Sequence, residues 1–205
     1  MTEDSYRTIK QVSEGYYTEK RSRFISYAIP VRTPEDVKEE LEKYKKQYYD
    51  ARHVCWAYML GTSRENFRAN DDGEPSGTAG RPILGQINSN ELTDVLIIVV
   101  RYFGGTLLGT GGLGRAYKDA AAAAIENATI IEKTIDDTYL IHFEYPLLND
   151  VMRILNQFES VQWRQNFTET CEMELKIRKK QSENLSGLLS SIYGVEVTKT
   201  EKESD

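Results

Sequence analysis

The chain has 205 residues, of which 40% are hydrophobic and 28% are charged, and its formal net charge is −6. This composition excludes a disordered chain, and the longest apolar runs, such as Val95–Val100, are too short to span a membrane. The negative charge argues against strong non-specific binding to nucleic acid, which depends on neutralising phosphates. Two cysteines cannot form a disulfide framework, and the polar start MTEDSYRTIK lacks the apolar core of a secretion signal. We therefore expect a cytoplasmic protein without membrane association.

The first part of the chain mixes strand and helix signals. In chain order the predicted elements are a strand at Tyr17–Pro30, a helix from Pro34 to about Tyr49, a strand at His53–Leu60, a polar loop at Asn70–Pro82, a short helix at Ile83–Ile87, a buried strand at Asp94–Arg101, a glycine-rich loop at Phe103–Gly114, a helix at Leu113–Asn127 and a strand at Thr129–Thr134. Thr33 before Pro34 is typical of a capped helix start. Five successive alanines from Ala120 favour helix and allow close packing on a sheet.

The second part has a regular order of elements. The predictions are a strand at Tyr139–Tyr145, a helix at Leu147–Phe158, strands at Val161–Glu169 and Cys171–Arg178, a helix at Ser182–Tyr193 and a strand at Val195–Thr198. This order predicts a ferredoxin-like, split βαβ domain. The chain is thus predicted to be an α+β protein with one domain at 1–135 and a second at 136–205.

Charge is distributed unevenly between the two predicted domains. Residues 1–135 contain 18 Lys and Arg against 19 Asp and Glu, whereas residues 136–205 contain 8 against 13. The first domain can therefore hold a local basic patch, while the second would repel phosphate.

The glycine-rich loop is the strongest functional candidate. Phe103–Gly114 contains six glycines and leads directly into a helix. A helix start offers unpaired N–H groups and a partial positive charge, and Arg101 and Arg115 flank the loop. These features predict a cradle for a phosphate or a carboxylate. The alternative, tight packing of an alanine-rich helix with glycines serving turns, is equally compatible with the pattern.

The polar loop at Asn70–Pro82 offers a second candidate. Asp71, Asp72 and Glu74 are three carboxylates within four residues, and magnesium favours such oxygen ligands. A solvated or capping turn is the favoured interpretation, so no metal is predicted and these three remain weak candidates. Ser76 or Thr78 is expected to cap the following helix.

Several catalytic motifs can be set aside. Gly109, Gly111 and Gly114 satisfy G-x-G-x-x-G, but too many residues separate them from the preceding strand for a dinucleotide fold. No Walker motif is present, and the residues around Ser76 lack the glycines of a nucleophile elbow. His53 could act as a general base, but a satisfied core or edge histidine is the favoured interpretation. No catalytic set is assigned, no cofactor is predicted, and the question of enzyme activity stays open.

The residues predicted to bind a ligand or partner come from both loops and the adjoining strands. They are His53, Asp71, Asp72, Gly73, Glu74, Ser76, Gly77, Thr78, Arg81, Arg101, Tyr102, Gly104, Gly105, Gly109, Gly111, Gly112 and Arg115.

Four stretches together resemble a known family. NDDGEPSGTAGRPIL (Asn70–Leu84) and VVRYFGGTLLGTGGLGRAY (Val99–Tyr117) are similar to the signature of the YigZ/IMPACT family, and KRSRFISYAIPV (Lys20–Val31) and HVCWAY (His53–Tyr58) are similar to its earlier blocks. The resemblance implies a first domain with the fold of domain 2 of ribosomal protein S5, a sheet with helices on one face. It also implies a tail similar to the last domain of elongation factor G.

Two functional hypotheses follow from the resemblance and the loops. Because eukaryotic IMPACT proteins regulate translation, the first is a non-catalytic regulator that docks the ribosome, structured RNA or a translation-associated protein. The second is an enzyme or sensor that binds a small phosphorylated ligand on Gly104–Gly114, with or without magnesium. A third, purely structural interpretation assigns the loops to packing and places function in the tail.

Overall fold

The computed structural model describes residues 4–158, 161–167 and 170–200. The chain divides into two compact units, each with its own hydrophobic core. The first unit is Tyr6–Lys133. The second consists of the described residues from Thr134 onward together with Asp4 and Ser5.

The first unit contains seven described strands, including the ends of two that reach its boundary, and three helices. They are β1 (Ser5–Ile9), β2 (Ser13–Glu19), β3 (Ser22–Pro30), α1 (Pro34–Gln47), β4 (His53–Leu60), β5 (Asn66–Asn70), α2 (Gly80–Ser89), β6 (Val95–Tyr102), α3 (Gly109–Glu126) and β7 (Ile130–Thr134). Five strands form an antiparallel sheet in the order β2-β3-β6-β4-β5, and β1 pairs with β7. An antiparallel sheet lacks the parallel βαβ unit of a dinucleotide fold, in agreement with the sequence argument.

Both faces of the central sheet are covered. One face packs against α2 and α3 and includes Phe24, Ala57 and Val99. The other packs against α1 and includes Tyr27 and Ile98. The expectation of helices on one face is therefore wrong, because the amphipathic helix α1 covers the second face. The prediction that β6 is buried on both sides is confirmed.

Local sequence explains two of the helices. Thr33 Oγ1 accepts a hydrogen bond from Asp36 N at 3.1 Å, and Asp36 accepts one from Thr33 N at 3.0 Å, so the predicted cap of α1 is confirmed as a capping box. The alanines of α3 allow close contact with the sheet. Ser26 Oγ donates to Ala120 O at 2.6 Å, which fixes the helix on β3.

Several predicted boundaries were wrong. The single strand predicted at Tyr17–Pro30 is the hairpin β2–β3, whose turn residues Lys20 and Arg21 have φ angles of 45° and 66°. Strands β1 and β5 were not predicted. Helix α2 begins at Gly80 instead of Ile83. Helix α3 begins at Gly109 instead of Leu113, so half of the predicted glycine-rich loop is helical.

The second unit has the order strand, helix, strand, strand, helix, strand. Its elements are β8 (Asp136–Phe143), a short 3-10 turn (Tyr145–Leu147), α4 (Leu148–Leu155), β9 (Gln162–Phe167), β10 (Cys171–Arg178), α5 (Lys179–Ser190) and β11 (Glu196–Thr200). The strands form an antiparallel sheet in the order β11-β8-β10-β9. The end of the strand predicted at Val161–Glu169 lies outside the described residues. Ser182, predicted to start a helix, lies inside α5 and donates to Asp137 at 2.6 Å.

Candidate functional site

Asp71 organises the polar loop and caps α2. Its carboxylate accepts hydrogen bonds from Gly77 N at 2.8 Å, Ala79 N at 2.9 Å and Gly80 N at 2.8 Å. Burial raises the pKa of Asp71, but these backbone donors outweigh it and hold the pKa below its usual value. The expected cap by Ser76 or Thr78 is wrong, because Asp71 already occupies the free N–H groups and Thr78 Oγ1 donates to Pro75 O at 2.6 Å.

Asp72 ties the polar loop to the start of β4. Its side chain accepts from Val54 N at 2.7 Å, and its carbonyl accepts from His53 Nδ1 at 2.8 Å. The carbonyl can only accept, so Nδ1 carries the proton of this bond, and Nε2 takes no part in it. Asp72 and Gly73 both have positive φ, 42° and 84°, which makes the tight turn that this arrangement needs.

Glu74 is the buried centre of the loop. Its Oε1 accepts from Arg101 Nη1 at 2.5 Å and from Tyr117 OH at 2.8 Å, and His53 Nε2 lies 4.0 Å away. Only 4% of the Glu74 side chain and 7% of the Arg101 side chain are exposed. A carboxylate this deep requires such partners, because an unpaired buried charge is strongly unfavourable.

Cys55 and Tyr117 lie behind Glu74. Cys55 Sγ lies 3.0 Å from Asp71 O and 3.3 Å from Tyr117 OH, and its single proton can be donated to one of them at a time. Burial raises the pKa of both side chains far above their ordinary values, and the nearby Glu74 carboxylate acts in the same direction. Both groups therefore remain protonated at neutral pH and act as hydrogen-bond donors.

The acidic side chains of the polar loop do not converge on a common point. Asp71 faces the α2 backbone, Asp72 faces Val54, and Glu74 faces Arg101. Among the described residues no group of three His, Cys, Asp or Glu side chains could hold a metal ion. In the structure the three acids therefore serve as a helix cap, as part of a turn and as one half of a buried ion pair.

The glycines of the second loop have different structural roles. A Cβ on Gly104 would lie 2.1 Å from the backbone carbon of Arg21, so this position allows close approach to the β2–β3 turn. Gly105 and Gly109 have positive φ, 83° and 70°. Gly111, by contrast, has open space around it and no positive φ. The packing alternative is therefore correct for Gly104.

A pocket with a volume of about 390 Å³ opens where the two loops meet. We call it the loop pocket. Its lining residues are Arg52, His53, Glu74, Pro75, Arg101, Phe103, Leu107, Leu108, Gly109, Thr110 and Leu113. The pocket thus joins a buried ion pair, the first residues of α3 and several apolar side chains.

A shallower depression of about 580 Å³ lies between α2 and α3. We call it the basic groove. Its lining residues are Gly77, Arg81, Pro82, Gly114, Arg115, Lys118 and Asp119. Arg81, Arg115 and Lys118 are exposed, so their charges face solvent.

The predicted site residues therefore separate into groups. His53, Glu74, Arg101 and Gly109 line the loop pocket, while Gly77, Arg81 and Arg115 line the basic groove. The remaining ten line neither depression: Asp71, Asp72, Gly73, Ser76, Thr78, Tyr102, Gly104, Gly105, Gly111 and Gly112. Of these, Tyr102 donates to Asp50 at 2.7 Å.

Some lining residues were missed by the sequence argument. Thr110 and Leu113 were missed because the start of α3 was placed too late, and Lys118 follows Arg115 by three residues on the same helix. Helical spacing from Arg115 was the signal that could have identified Lys118. Arg52 precedes His53, but nothing in the pattern pointed to its role.

None of the helices in the described parts of the chain is both long and apolar enough to cross a membrane.

Comparison with known proteins places the chain in a family. Residues 20–125 match the model of the Impact N-terminal domain. The chain is 32% identical to the IMPACT family member YvyE of Bacillus subtilis over 92% of this chain and 87% of that protein. It is 37% identical to the IMPACT family member YigZ of Escherichia coli over 67% and 69%. A crystal structure of a hypothetical protein matches with a TM-score of 0.71 at 28% identity, covering 98% of this chain and 99% of that one. The predicted resemblance is confirmed, and the chain belongs to the IMPACT family.

Proposed function

We propose that this protein is a non-catalytic, translation-associated binding module of the cytoplasm that docks on structured RNA, such as that of the ribosome, through the basic groove. Family membership supports the link to translation, since the resemblance to eukaryotic IMPACT proteins implies such a role. The exposed cations of the groove support the choice of RNA.

The observation that carries the proposal is the grouping of Arg81, Arg115 and Lys118. No salt bridge formed within the described residues involves any of the three. Asp119 also lines the groove, but its single negative charge leaves the three cations in excess there. Arg81 also lies near enough to the Asp71 carboxylate to lower its pKa, but all three cations are exposed in one groove. In a protein of net charge −6 they form a local site for phosphates, which salt-sensitive contacts would hold.

The chemistry of the loop pocket supports a non-catalytic role. Cys55 is fully buried and its pKa is raised by that burial, so it is not a thiolate nucleophile at neutral pH. Glu74 Oε1 is already engaged by Arg101 and by Tyr117. His53 Nδ1 is bound to a backbone carbonyl, which is an ordinary arrangement for a structural histidine.

The finer fold assignments are part of the same proposal. The antiparallel sheet with α2 and α3 on one face supports a ribosomal protein S5 domain 2-like domain at 1–135, to which α1 on the opposite face is an addition. The strand order β11-β8-β10-β9 with two crossing helices supports a ferredoxin-like domain at 136–205, similar to the last domain of elongation factor G.

Co-sedimentation with purified ribosomal subunits at low salt tests the proposal. The wild-type protein is expected in the ribosomal pellet, and the double substitution Arg115→Gln and Lys118→Gln is expected to release it, because two phosphate contacts are lost. Lys38→Gln with Lys46→Gln, on exposed positions of α1, is the matched control and should leave binding unchanged.

Two outcomes would count against RNA docking. If the wild-type protein stays in the supernatant at low salt, the ribosomal version fails. If it sediments but the groove substitutions change nothing, a translation-associated protein partner on another surface becomes the better account.

A further inference from the structure

The loop pocket is a second site, distinct from the basic groove. The two depressions share no lining residue, and the groove cations Arg81, Arg115 and Lys118 are absent from the pocket wall. The cations of the pocket are Arg52 at its rim and Arg101, of which only 6% is exposed. A cation this deep cannot meet a large RNA surface, so the pocket requires a different ligand.

Arg101 has a donor left over. One of its terminal nitrogens, Nη1, is used by Glu74, and its guanidinium lies 5.6 Å from the ring of Phe24 and 5.7 Å from that of Phe103. Its Nε is buried and has no hydrogen-bond partner within the described part of the chain. A buried N–H without a partner is rare, because the desolvation cost is not recovered. Nε is closed to water, so an acceptor brought by a ligand satisfies it only when the neighbouring side chains shift to admit it.

The start of α3 supplies further unpaired donors at the same place. The first residues of α3, Gly109 and Thr110, line the pocket, and in the described structure no side chain caps this helix and no acid lies in its first turn. In contrast, α1 has its capping box and the start of α2 is held by Asp71. An 18-residue helix with its first N–H groups open to a pocket favours an anion there.

The rest of the pocket wall is apolar. Phe103 and Leu107 are 55% and 82% exposed, which is unusual for such large apolar side chains, and Leu108 and Leu113 lie beside them. The charged residues that line the pocket are Arg52, Arg101 and Glu74, and His53 Nε2 lies 4.0 Å from Glu74 Oε1. The ligand therefore needs an anionic end with several acceptor oxygens and an apolar or aromatic body.

We propose that the loop pocket binds a small phosphate monoester carried on an apolar or aromatic body. Its phosphoryl oxygens accept hydrogen bonds from Arg101 Nε and from the first N–H groups of α3, and its body packs against Phe103 and Leu107. A phosphoryl group supplies three acceptor oxygens, whereas a carboxylate supplies two, and the pocket offers donors from two directions. The site makes the protein a sensor of such a compound in addition to its docking role.

Thermal melting of the full chain with phenyl phosphate, inorganic phosphate and phenol as probes tests this site. Phenyl phosphate is expected to raise Tm most, with inorganic phosphate weaker and phenol without effect, because only phenyl phosphate combines both features. For so small a probe we expect a dissociation constant of about 1 mM or below.

Thr110 is the position to substitute, since Arg101 also holds Glu74 in the core and its replacement would confound binding with folding. Thr110 is exposed in the first turn of α3. Thr110→Asp places a carboxylate at the helix start, which favours the helix but competes with the phosphate, so affinity should fall at least about tenfold. Thr62→Asp, which adds the same carboxylate at an exposed position between β4 and β5 that lines neither depression, should bind phenyl phosphate as the wild type does.

The proposal is overturned if neither phosphate probe shifts Tm at about 10 mM, a concentration that would detect even millimolar binding. It is equally overturned if Thr110→Asp retains wild-type affinity. The test is independent of RNA docking, because Arg115→Gln with Lys118→Gln removes cations of the groove and should leave the phenyl phosphate response intact.

Discussion

Single residues decide whether a glycine serves packing or binding. Gly104 N donates to Ser22 Oγ at 3.1 Å, and the position of its absent Cβ is occupied by the Arg21–Ser22 backbone. Gly111 belongs to the same glycine-rich stretch but is surrounded by open space. Sequence composition treats the two alike, whereas the backbone of a hairpin about 80 positions earlier distinguishes them.

Gly104→Ala is expected to lower the free energy of unfolding by at least about 2 kcal/mol, because the added methyl group would overlap backbone atoms that cannot rotate away. Gly111→Ala, the matched control, should raise it by up to about 1 kcal/mol, since alanine is favoured over glycine in a helix. Urea denaturation of both variants measures the difference. If Gly104→Ala has unchanged stability but no longer binds RNA or phenyl phosphate, this glycine serves a ligand after all.

The same contrast shows what could be predicted at this scale. The cap by Thr33 was predictable because its partners are adjacent in the chain. The pairing of Glu74 with Arg101 was not, because the two residues are brought together by the sheet over 27 positions. Both had been identified as candidates, but as a weak metal ligand and a phosphate ligand, and nothing in the sequence indicated that they pair with each other.

At the scale of elements, the polar loop acts as the N-terminal extension of α2. The Asp71 carboxylate caps α2 from across the loop, in place of the residue directly before the helix. Because the loop also bonds to His53 and Val54 of β4, it connects the helix to the sheet. The position of Glu74 in the loop pocket therefore depends on Asp71 at a distance of several residues.

Asp71→Asn is expected to destabilise the protein by about 1 kcal/mol at pH 7, because an ionised cap is replaced by a neutral one. The folded-state pKa of Asp71 lies below its ordinary value of 3.8, so the contribution of Asp71 to stability is fully present above that pH. It is lost as pH falls through the folded-state pKa. The stability difference between wild type and variant should therefore shrink on acidification below about pH 4.

Urea unfolding at several pH values measures this difference, and Glu65→Gln, at an exposed position, is the control that should show no such trend. A difference between wild type and Asp71→Asn that stayed constant down to pH 2 would contradict the capping role.

Element boundaries were less predictable than element types. The β2–β3 turn was missed because Lys20 and Arg21 adopt positive φ angles without the glycine or asparagine that usually indicates such a turn. Helix α3 was started too late because glycines disfavour a helix locally, although packing on the sheet extends it back to Gly109. The order of elements in the second unit needed only hydrophobic periodicity, and all six of its predicted elements have a counterpart.

At the scale of the whole molecule, the local distribution of charge differs from the net charge. The chain is negative overall, yet the first unit has three exposed cations in the basic groove and two other cations at a separate pocket. The sequence predicted a local basic patch from the near balance of residues 1–135. The sequence could not distinguish the role of Arg101 from that of Arg115, because only the fold buries the first and exposes the second.

The salt dependence of RNA binding is the measurement that tests the central claim most directly. Fluorescence anisotropy with a labelled RNA hairpin, between 50 and 200 mM KCl, gives the slope of log K against log salt. With three groove cations the wild-type slope should lie at about −2 to −3, and Arg115→Gln with Lys118→Gln should make it shallower by about 2 units. Equal slopes for the two proteins, or no hairpin binding by the wild type at the lowest salt, would contradict docking through the basic groove.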